Sequence, residues 1–189
     1  MAIKVYIDQG HNPGNINAGA SGNGVVESEV NYQVGIYLAE YLNADPAFVA
    51  RVSRLFPDTV LGSDASSSLR ERVYQANSWP ADYFISIHTN SNVNPAIQGS
   101  EVYVYRELSR SYELAQDVLA SIVEIVGTKD NQVRINPSLY VLRNTDMPAI
   151  LVELAYLSNP SDAMLLLTKQ REFAYAIYQG LRDYLGLNN

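Results

Sequence analysis

The sequence contains no cysteine, which excludes disulfide bonds and every zinc site built on thiolates. Any metal ion must therefore be held by histidine and carboxylate side chains. The sequence also has no apolar run of about 18 residues, so no membrane insertion is expected. Residues 1–8 lead directly into strand-like sequence without a basic stretch or a small-residue cleavage site, and we expect no signal peptide.

Basic residues are scarce: 13 Lys and Arg face 20 Asp and Glu, which gives a net charge of −7. Nucleic acid is therefore not an expected partner, since phosphate binding needs clustered basic side chains. The same charge opposes unaided adhesion to an anionic envelope polymer. A protein acting on such a wall would need targeting by a separate module or recognition of neutral groups.

The length of 189 residues fits one domain, residues 1–189, with a full-sized core. Apolar patterns predict strands at 3–8, 49–55, 82–88, 100–105 (as an edge strand) and 149–154. They predict helices at 27–42, 69–77 and 111–126, and one or two helices within 161–185. This alternation predicts an α/β three-layer sandwich with a mostly parallel sheet between helices. Ligands of such sheets gather at the carboxyl ends of the strands.

The chain has only two histidines, and both follow predicted strands. His11 lies three residues beyond the first strand, and His88 closes the strand at 82–88. Taken alone, each histidine is more simply explained as a strand-end residue with local hydrogen bonds. Because both lie at the carboxyl ends of predicted parallel strands, their imidazoles could converge on one metal ion.

A histidine pair without cysteine needs a carboxylate to complete a zinc site. The first helix offers Glu27 and Glu29. At about 100° per residue, Glu27 lies on the same face as the apolar Val34 and Leu38, whereas Glu29 lies on the solvent side. Glu27 is therefore the predicted ligand. The alternative is that the free N–H groups of the helix N-terminus alone hold this carboxylate.

Glu153 is the only charged residue in the apolar run 148–154, at the end of a predicted central strand. An ion pair with Arg143 or Arg134 would explain it structurally. The functional interpretation is a general base beside the metal, which takes a proton from water and passes it to a departing amine.

Other catalytic chemistries are less complete in this sequence. It has no G-x-S-x-G motif, no thiol and no G-x-x-x-x-G-K-[ST] phosphate loop. A glycosidase that uses two carboxylates remains an alternative, but it leaves both histidines without a role.

Four separated motifs resemble the zinc-dependent N-acetylmuramoyl-L-alanine amidases of type 3. They are Asp8-x-Gly10-His11, Glu27 at the start of a helix, Ser86-Ile87-His88-x-Asn90, and Pro148-Ala149-Ile150-Leu151-Val152-Glu153. The resemblance extends to Leu69-Arg70-Glu71-Arg72 and to Leu157-Ser158-Asn159. Their order and spacing agree over nearly the whole chain.

The resemblance implies one zinc ion per chain, held by His11, Glu27 and His88, with Glu153 as the catalytic glutamate. It implies a sheet of about six strands. The expected reaction is hydrolysis of the amide between N-acetylmuramic acid and L-alanine in peptidoglycan. It also places Asn90 and Arg143 on the substrate groove. Two departures concern only the groove's shape: Asn12-Pro13-Gly14 replaces a glycine-rich stretch, and Ala155-Tyr156 replaces Gly-Phe.

The resemblance also sets the expected context, which is an autolysin or phage endolysin acting at the bacterial cell wall. A separate wall-binding domain would supply targeting. Without a signal peptide, the chain would be the catalytic part of a longer protein, or it would be released by lysis or by another route. Some relatives carry an inhibitory helix, and the short connection after 100–105 predicts an open site here. Two rival functions are a zinc peptidase of related architecture and a binding module that has lost the chemistry.

Overall fold

The first strand lies inside a six-stranded sheet in the computed structural model, which describes residues 2–187. The strands are β1 (Ile3–Gln9), β2 (Ser21–Gly22), β3 (Val25–Val26), β4 (Phe48–Val52), β5 (Tyr83–Asn90), β6 (Ser100–Val104), β7 (Asp130–Ile135) and β8 (Ala149–Tyr156). The helices are α1 (Glu27–Ala44), α2 (Ala65–Ser78), α3 (Arg110–Val126), α4 (Tyr140–Asn144), α5 (Pro160–Thr168) and α6 (Gln170–Tyr184). Strands β2 and β3 form a separate small ribbon.

The sheet order is β4-β1-β5-β8-β6-β7. Strands β4, β1, β5 and β8 are parallel, β6 runs antiparallel to β8, and β7 is parallel to β6. The predicted α/β sandwich with a mostly parallel six-stranded sheet is therefore confirmed. The prediction that 100–105 forms an edge strand was wrong, because β6 lies between β8 and β7 and its Val102 is fully buried.

Alternation along the strands divides the core into two clusters. In β1, Val5 and Ile7 face the larger cluster, which also receives the apolar faces of α1, α3 and α6. Tyr6 faces the smaller cluster, which contains residues of α2 and α4. Helices α2 and α4 form the second helical layer. Tyr103, which is half-buried, is the one residue of β6 in the smaller cluster, so this layer covers only part of the sheet.

Helix boundaries follow from local chemistry. Helix α2 starts four residues before its predicted start, because the Asp64 side chain accepts from the Ser67 N–H and the Ser67 side chain caps Asp64 in return. Helix α3 ends at Gly127, whose φ of 85° is the left-handed conformation that glycine adopts freely. Within the described residues, no helix is both long and apolar enough to traverse a lipid bilayer.

The parallel strands bring the two histidines to one edge of the sheet. Asp8 of β1 pairs in register with Ser86 of β5, and Gln9 pairs with Ile87. His88 follows directly and pairs in register with Glu153 of β8. The carboxyl ends of β1, β5 and β8 thus define one site, as expected for an open α/β sheet.

Candidate metal centre

His11 follows β1 after Gly10, where the backbone packs closely against the His88 ring. A Cβ at position 10 would lie 2.5 Å from ring atoms of His88, so only glycine fits there. His11 itself has a φ of 67°, which is uncommon for a residue other than glycine. Its Nδ1 lies 3.1 Å from the carbonyl oxygen of Asn17. In a neutral imidazole, donation of Nδ1–H to that carbonyl makes Nε2, on the side of Glu27, the nitrogen that carries the electron pair for a metal ion.

Glu27 lies between the two histidines at the start of α1. Its Oε1 is 3.2 Å from His11 Nε2 and 3.2 Å from His88 Nδ1. Its Oε2 accepts from the Ala20 N–H at 2.8 Å, and the Thr89 N–H also donates to Oε1 at 3.2 Å. The carboxylate is therefore fixed by backbone donors as well as by its position on the helix.

The three side chains fit a metal ion. One ligand atom from each of His11, Glu27 and His88 can be chosen so that all lie within 4.8 Å of one another. Two imidazoles and a carboxylate form the donor set of zinc sites without cysteine, and a catalytic site leaves one position for water. The site is also accessible, because the His11 and His88 side chains are 20% and 17% exposed.

Charges in the cluster are strongly coupled. Burial alone would raise the pKa of Glu27, but hydrogen bonds and charges from His11 and His88 outweigh burial and hold that pKa far below its usual range. Burial opposes protonation of His11, yet its hydrogen bond to Glu27 raises the His11 pKa. The cluster is thus arranged to keep Glu27 ionised, as a metal ligand must be.

Glu153 lies beside this cluster on β8. Its Oε2 is buried and has no hydrogen-bond partner within residues 2–187. Burial raises the pKa of Glu153 well above its usual value, and the nearby charges of Glu27 and Glu101 raise it further. The ion pairs considered from the sequence are not formed among these residues: Arg134 contacts Glu101, and Arg143 lies over the Tyr140 ring.

The structure places Asn90 at the end of β5 and Arg143 on the exposed side of α4. The Asn90 side-chain N–H donates to Glu101 at 2.6 Å, and its Oδ1 accepts from the Ser91 N–H at 2.7 Å. These bonds fix Asn90 within the protein. Substrate binding by Asn90 and Arg143 stays a prediction.

A cavity of about 260 Å³ opens beside the two histidines. Its walls include the apolar side chains Leu69, Leu139 and Leu151. A larger cavity of about 890 Å³ lies beside the edge strand β4, and its lining includes none of the cluster residues. The smaller cavity is the one adjacent to the candidate chemistry.

Arg72 supports the site structurally, and the sequence analysis assigned it no role. Its side chain is 1% exposed, and its guanidinium donates to Asp8 at 2.5 Å. It also donates to the carbonyl oxygens of Gln9 at 2.6 Å and His11 at 2.7 Å. Arg72 thus holds the backbone on both sides of Gly10. Helical spacing could have indicated that Arg72 is buried, since it shares the inward face of α2 with Ser68 and Ala76.

Replacing Arg72 by Met is expected to lower the free energy of unfolding by about 3–5 kcal/mol, because Asp8 would be left as a buried, unpaired charge. Urea denaturation followed by circular dichroism measures this change. The matched control is Arg70→Met on the exposed side of the same helix, for which we expect a change within about 0.5 kcal/mol. Equal effects of the two substitutions would contradict the structural role of Arg72.

The Asp8–Arg72 pair also predicts how stability depends on pH. Burial would raise the pKa of Asp8, but the charge and hydrogen bond of Arg72, with a hydrogen bond from Ser86, hold it below its usual value. A carboxylate with a lowered folded-state pKa stabilises above its unfolded pKa of about 3.9, and this contribution is lost as pH falls through the folded value.

We therefore expect the metal-free protein to lose stability from about pH 4 downwards. Urea denaturation at several pH values measures the loss. The double variant Asp8→Asn/Arg72→Met removes the pair, so its loss below about pH 4 should be smaller than that of the parent protein. Parallel curves for the two proteins would show that other carboxylates account for the acid sensitivity.

The fold and the cluster together define an α/β protein built around a candidate His–Glu–His metal centre. The model of the Amidase_3 family, N-acetylmuramoyl-L-alanine amidase, matches residues 5–183. The chain belongs to this family.

Curated and solved relatives agree with this membership. The chain is 36% identical over 186 residues to N-acetylmuramoyl-L-alanine amidase LytC of Bacillus subtilis (strain 168), covering 95% of this chain and 35% of LytC. The crystal structure of N-acetylmuramoyl-L-alanine amidase from Clostridium difficile 630 is 32% identical, with a TM-score of 0.88 and coverage of 100% of this chain and 99% of that chain. The catalytic domain of CwlV from Bacillus (Paenibacillus) polymyxa var. colistinus is 30% identical, with a TM-score of 0.86 and coverage of 98% and 99%.

Proposed function

We propose that this domain hydrolyses the amide bond between N-acetylmuramic acid and L-alanine in bacterial peptidoglycan, with one zinc ion as cofactor. The observation that carries the proposal is the position of Glu27 Oε1, 3.2 Å from a ring nitrogen of each histidine, with Glu153 on the neighbouring strand. Membership of the N-acetylmuramoyl-L-alanine amidase family supports the choice of bond.

His11, Glu27 and His88 would hold the zinc ion. When bound, zinc acts as a Lewis acid toward a carbonyl group and toward water. Asn17 orients the His11 ring through Nδ1, and Ala20 orients Glu27 through Oε2. Outer contacts of this kind fix the direction of the electron pairs that the ligands present.

Glu153 would act as the general base and then as the general acid. Its Oε2 has no hydrogen-bond partner among residues 2–187, so it is free to accept a proton from the attacking water. Burial, with the charges of Glu27 and Glu101, raises the pKa of Glu153, and a raised pKa makes its carboxylate a stronger proton acceptor. The proton then passes to the departing nitrogen of L-alanine.

The same proposal specifies the substrate and how the domain reaches it. The substrate is the glycan–peptide polymer of the bacterial cell wall, as expected for an autolysin or endolysin, and residues 1–189 form a single catalytic domain. The chain spans 35% of the length of LytC. A separate wall-binding domain would bring such a domain to the wall, since the net charge of −7 opposes adhesion to anionic polymers.

A zinc peptidase of related architecture is the main alternative. Such enzymes often use two metal ions and need further ligands. Within residues 2–187, one group of three His, Cys, Asp or Glu side chains has the spacing of a metal site, and it is the His11–Glu27–His88 group. This count favours a centre with a single ion.

The test is a digest of purified peptidoglycan with and without a chelator, analysed by mass spectrometry. Free stem peptides that begin with L-alanine, formed only when zinc is present, are the expected products. Cleavage inside the stem peptide would support the peptidase, and no cleavage of any wall would support a binding module or the need for a separate targeting domain.

A further inference from the structure

Polar side chains occupy one face of the sheet beside Glu153. Glu101 of β6 pairs in register with Glu153 of β8, and Tyr103 pairs with Leu151. On its other side, Tyr103 pairs with Arg134 of β7. Because paired residues share a face and alternate residues along a strand do too, Glu153, Glu101, Tyr103 and Arg134 lie on the same face. Helices α2 and α4 cover little of this part of the sheet.

Glu101 is the centre of this polar face. It is 1% exposed, and its Oε1 accepts from Asn90 at 2.6 Å, from the Tyr103 hydroxyl at 2.9 Å and from the Tyr156 hydroxyl at 3.2 Å. Its Oε2 lies 2.6 Å from Arg134 Nε. Three hydrogen-bond donors on one oxygen and the Arg134 guanidinium beside the other hold this carboxylate in place.

Arg134 differs from its partner in exposure. The Arg134 side chain is 51% exposed, whereas that of Glu101 is 2% exposed. Arg134 approaches Glu101 through Nε, and among residues 2–187 its two terminal nitrogens form no hydrogen bond. A guanidinium presents parallel N–H groups that match a carboxylate. The half of Arg134 that faces solvent is therefore available to a ligand.

Arg134 lies close to the proposed reaction. Side chains paired across an antiparallel ladder have Cβ atoms about 5 Å apart, so Glu101 is adjacent to Glu153, and Arg134 is adjacent to Glu101. The residue after L-alanine in a stem peptide is a D-glutamate whose α-carboxyl group is either free or amidated. One residue of extended chain spans about 3.5 Å, so this group lies within about 7 Å of the bond to be cut.

We propose that Arg134 binds the free carboxylate of the D-glutamate and makes the domain selective for stem peptides in which that group is not amidated. The inference rests on the proposed amidase function and specifies its substrate. Charge supports it: Arg134 brings a positive charge next to Glu101, and its half-exposed guanidinium can pair with a substrate carboxylate from the solvent side. Glu101 orients the guanidinium from the buried side.

The experiment uses two synthetic muramoyl tripeptides that differ in one group. Both contain N-acetylmuramic acid, L-alanine, D-glutamate and L-lysine with an amidated C-terminus, and the D-glutamate α-carboxyl is free in one and amidated in the other. For the parent protein with zinc, we expect kcat/KM to be about fivefold higher for the free acid, a preference typical of a partly exposed ion pair. In Arg134→Gln the ratio should fall to about one, mainly through a higher KM for the acid.

Arg106→Gln is the control. Arg106 is exposed beyond the carboxyl end of β6, away from Glu101, and its substitution changes the net charge equally. It should keep the preference for the acid. If Arg134→Gln does not fold, the double variant Glu101→Gln/Arg134→Gln leaves no unpaired charge at this position and should also show a ratio near one.

The outcomes separate the inference from the function on which it rests. Equal cleavage of both substrates by the parent protein, or an equal loss on both substrates in Arg134→Gln, would overturn the role of Arg134 and leave the amidase function intact. If the parent protein cleaves neither substrate at the muramoyl–alanine bond, the proposed function fails and the inference fails with it.

Discussion

Glu153→Gln is expected to lower the rate of hydrolysis by about 10²- to 10⁴-fold while the protein still binds zinc. Glutamine keeps the size of the side chain but cannot accept a proton at neutral pH. The substitution also removes a buried carboxyl whose Oε2 has no hydrogen-bond partner in the part of the chain that the structure describes, so folding should not suffer. Release of stem peptides and the zinc content of the purified variant measure the two effects.

Glu29→Gln is the matched control for this substitution. Glu29 is exposed on α1, on the side opposite the buried Glu27, and its replacement should leave both the rate and the zinc content unchanged. If Glu153→Gln retained nearly full activity with zinc bound, Glu153 would not be the general base. A loss of zinc together with activity would instead indicate that Glu153 contributes to metal binding.

His88→Ala is expected to abolish both zinc binding and hydrolysis. Loss of an outer contact of a metal site weakens binding by about 10- to 100-fold, so loss of a direct ligand should weaken it by more than about 100-fold. Competition with a chromophoric chelator measures the affinity directly. The substitution also removes the ring against which Gly10 packs, so circular dichroism must show that the variant is folded.

The comparison of His88→Ala with Glu153→Gln distinguishes ligand from base. Both variants should be inactive, but only the histidine variant should lose zinc. Zinc affinity equal to that of the parent protein in a folded His88→Ala variant would exclude the three-ligand centre proposed here.

Much of the fold could be predicted because the central elements have simple periodicity. Helix α1 was predicted at 27–42 and extends over Glu27–Ala44, and β8 was predicted at 149–154 and extends to Tyr156. Strand β7 was missed, because all six of its residues are exposed or half-buried and its sequence has no regular apolar alternation. The pattern of β6 was mistaken for that of an edge strand, since its alternate face carries the buried polar Glu101.

The site was partly predictable for a related reason. His11 and His88 follow strands whose parallel arrangement could be inferred, and the position of Glu27 follows from helical geometry. The contacts of Arg72 and Arg134 could not be predicted in the same way. Arg72 binds backbone carbonyls about sixty positions away, and Arg134 meets Glu101 only through the register of β6 with β7. Such contacts depend on tertiary structure and leave no local pattern.

Gln9 links the two segments that carry the proposed ligands His11 and Glu27. Its side chain is fully buried, donates to the Tyr32 carbonyl of α1 at 2.9 Å and accepts from the Arg54 N–H at 2.8 Å. Gly35 of α1 packs directly against it, and any larger residue there would overlap Gln9. The strand leading to His11 and the helix starting at Glu27 are thus joined by the apolar core and this buried amide.

The entropy of ordering the proposed ligands is therefore lost when the chain folds, and binding of a metal ion would not incur it again. In this respect the domain differs from zinc fingers, in which the metal itself drives folding. The ion should be exchangeable: its removal leaves a folded receptor, and its return needs only displacement of water and protons from a preorganised pocket.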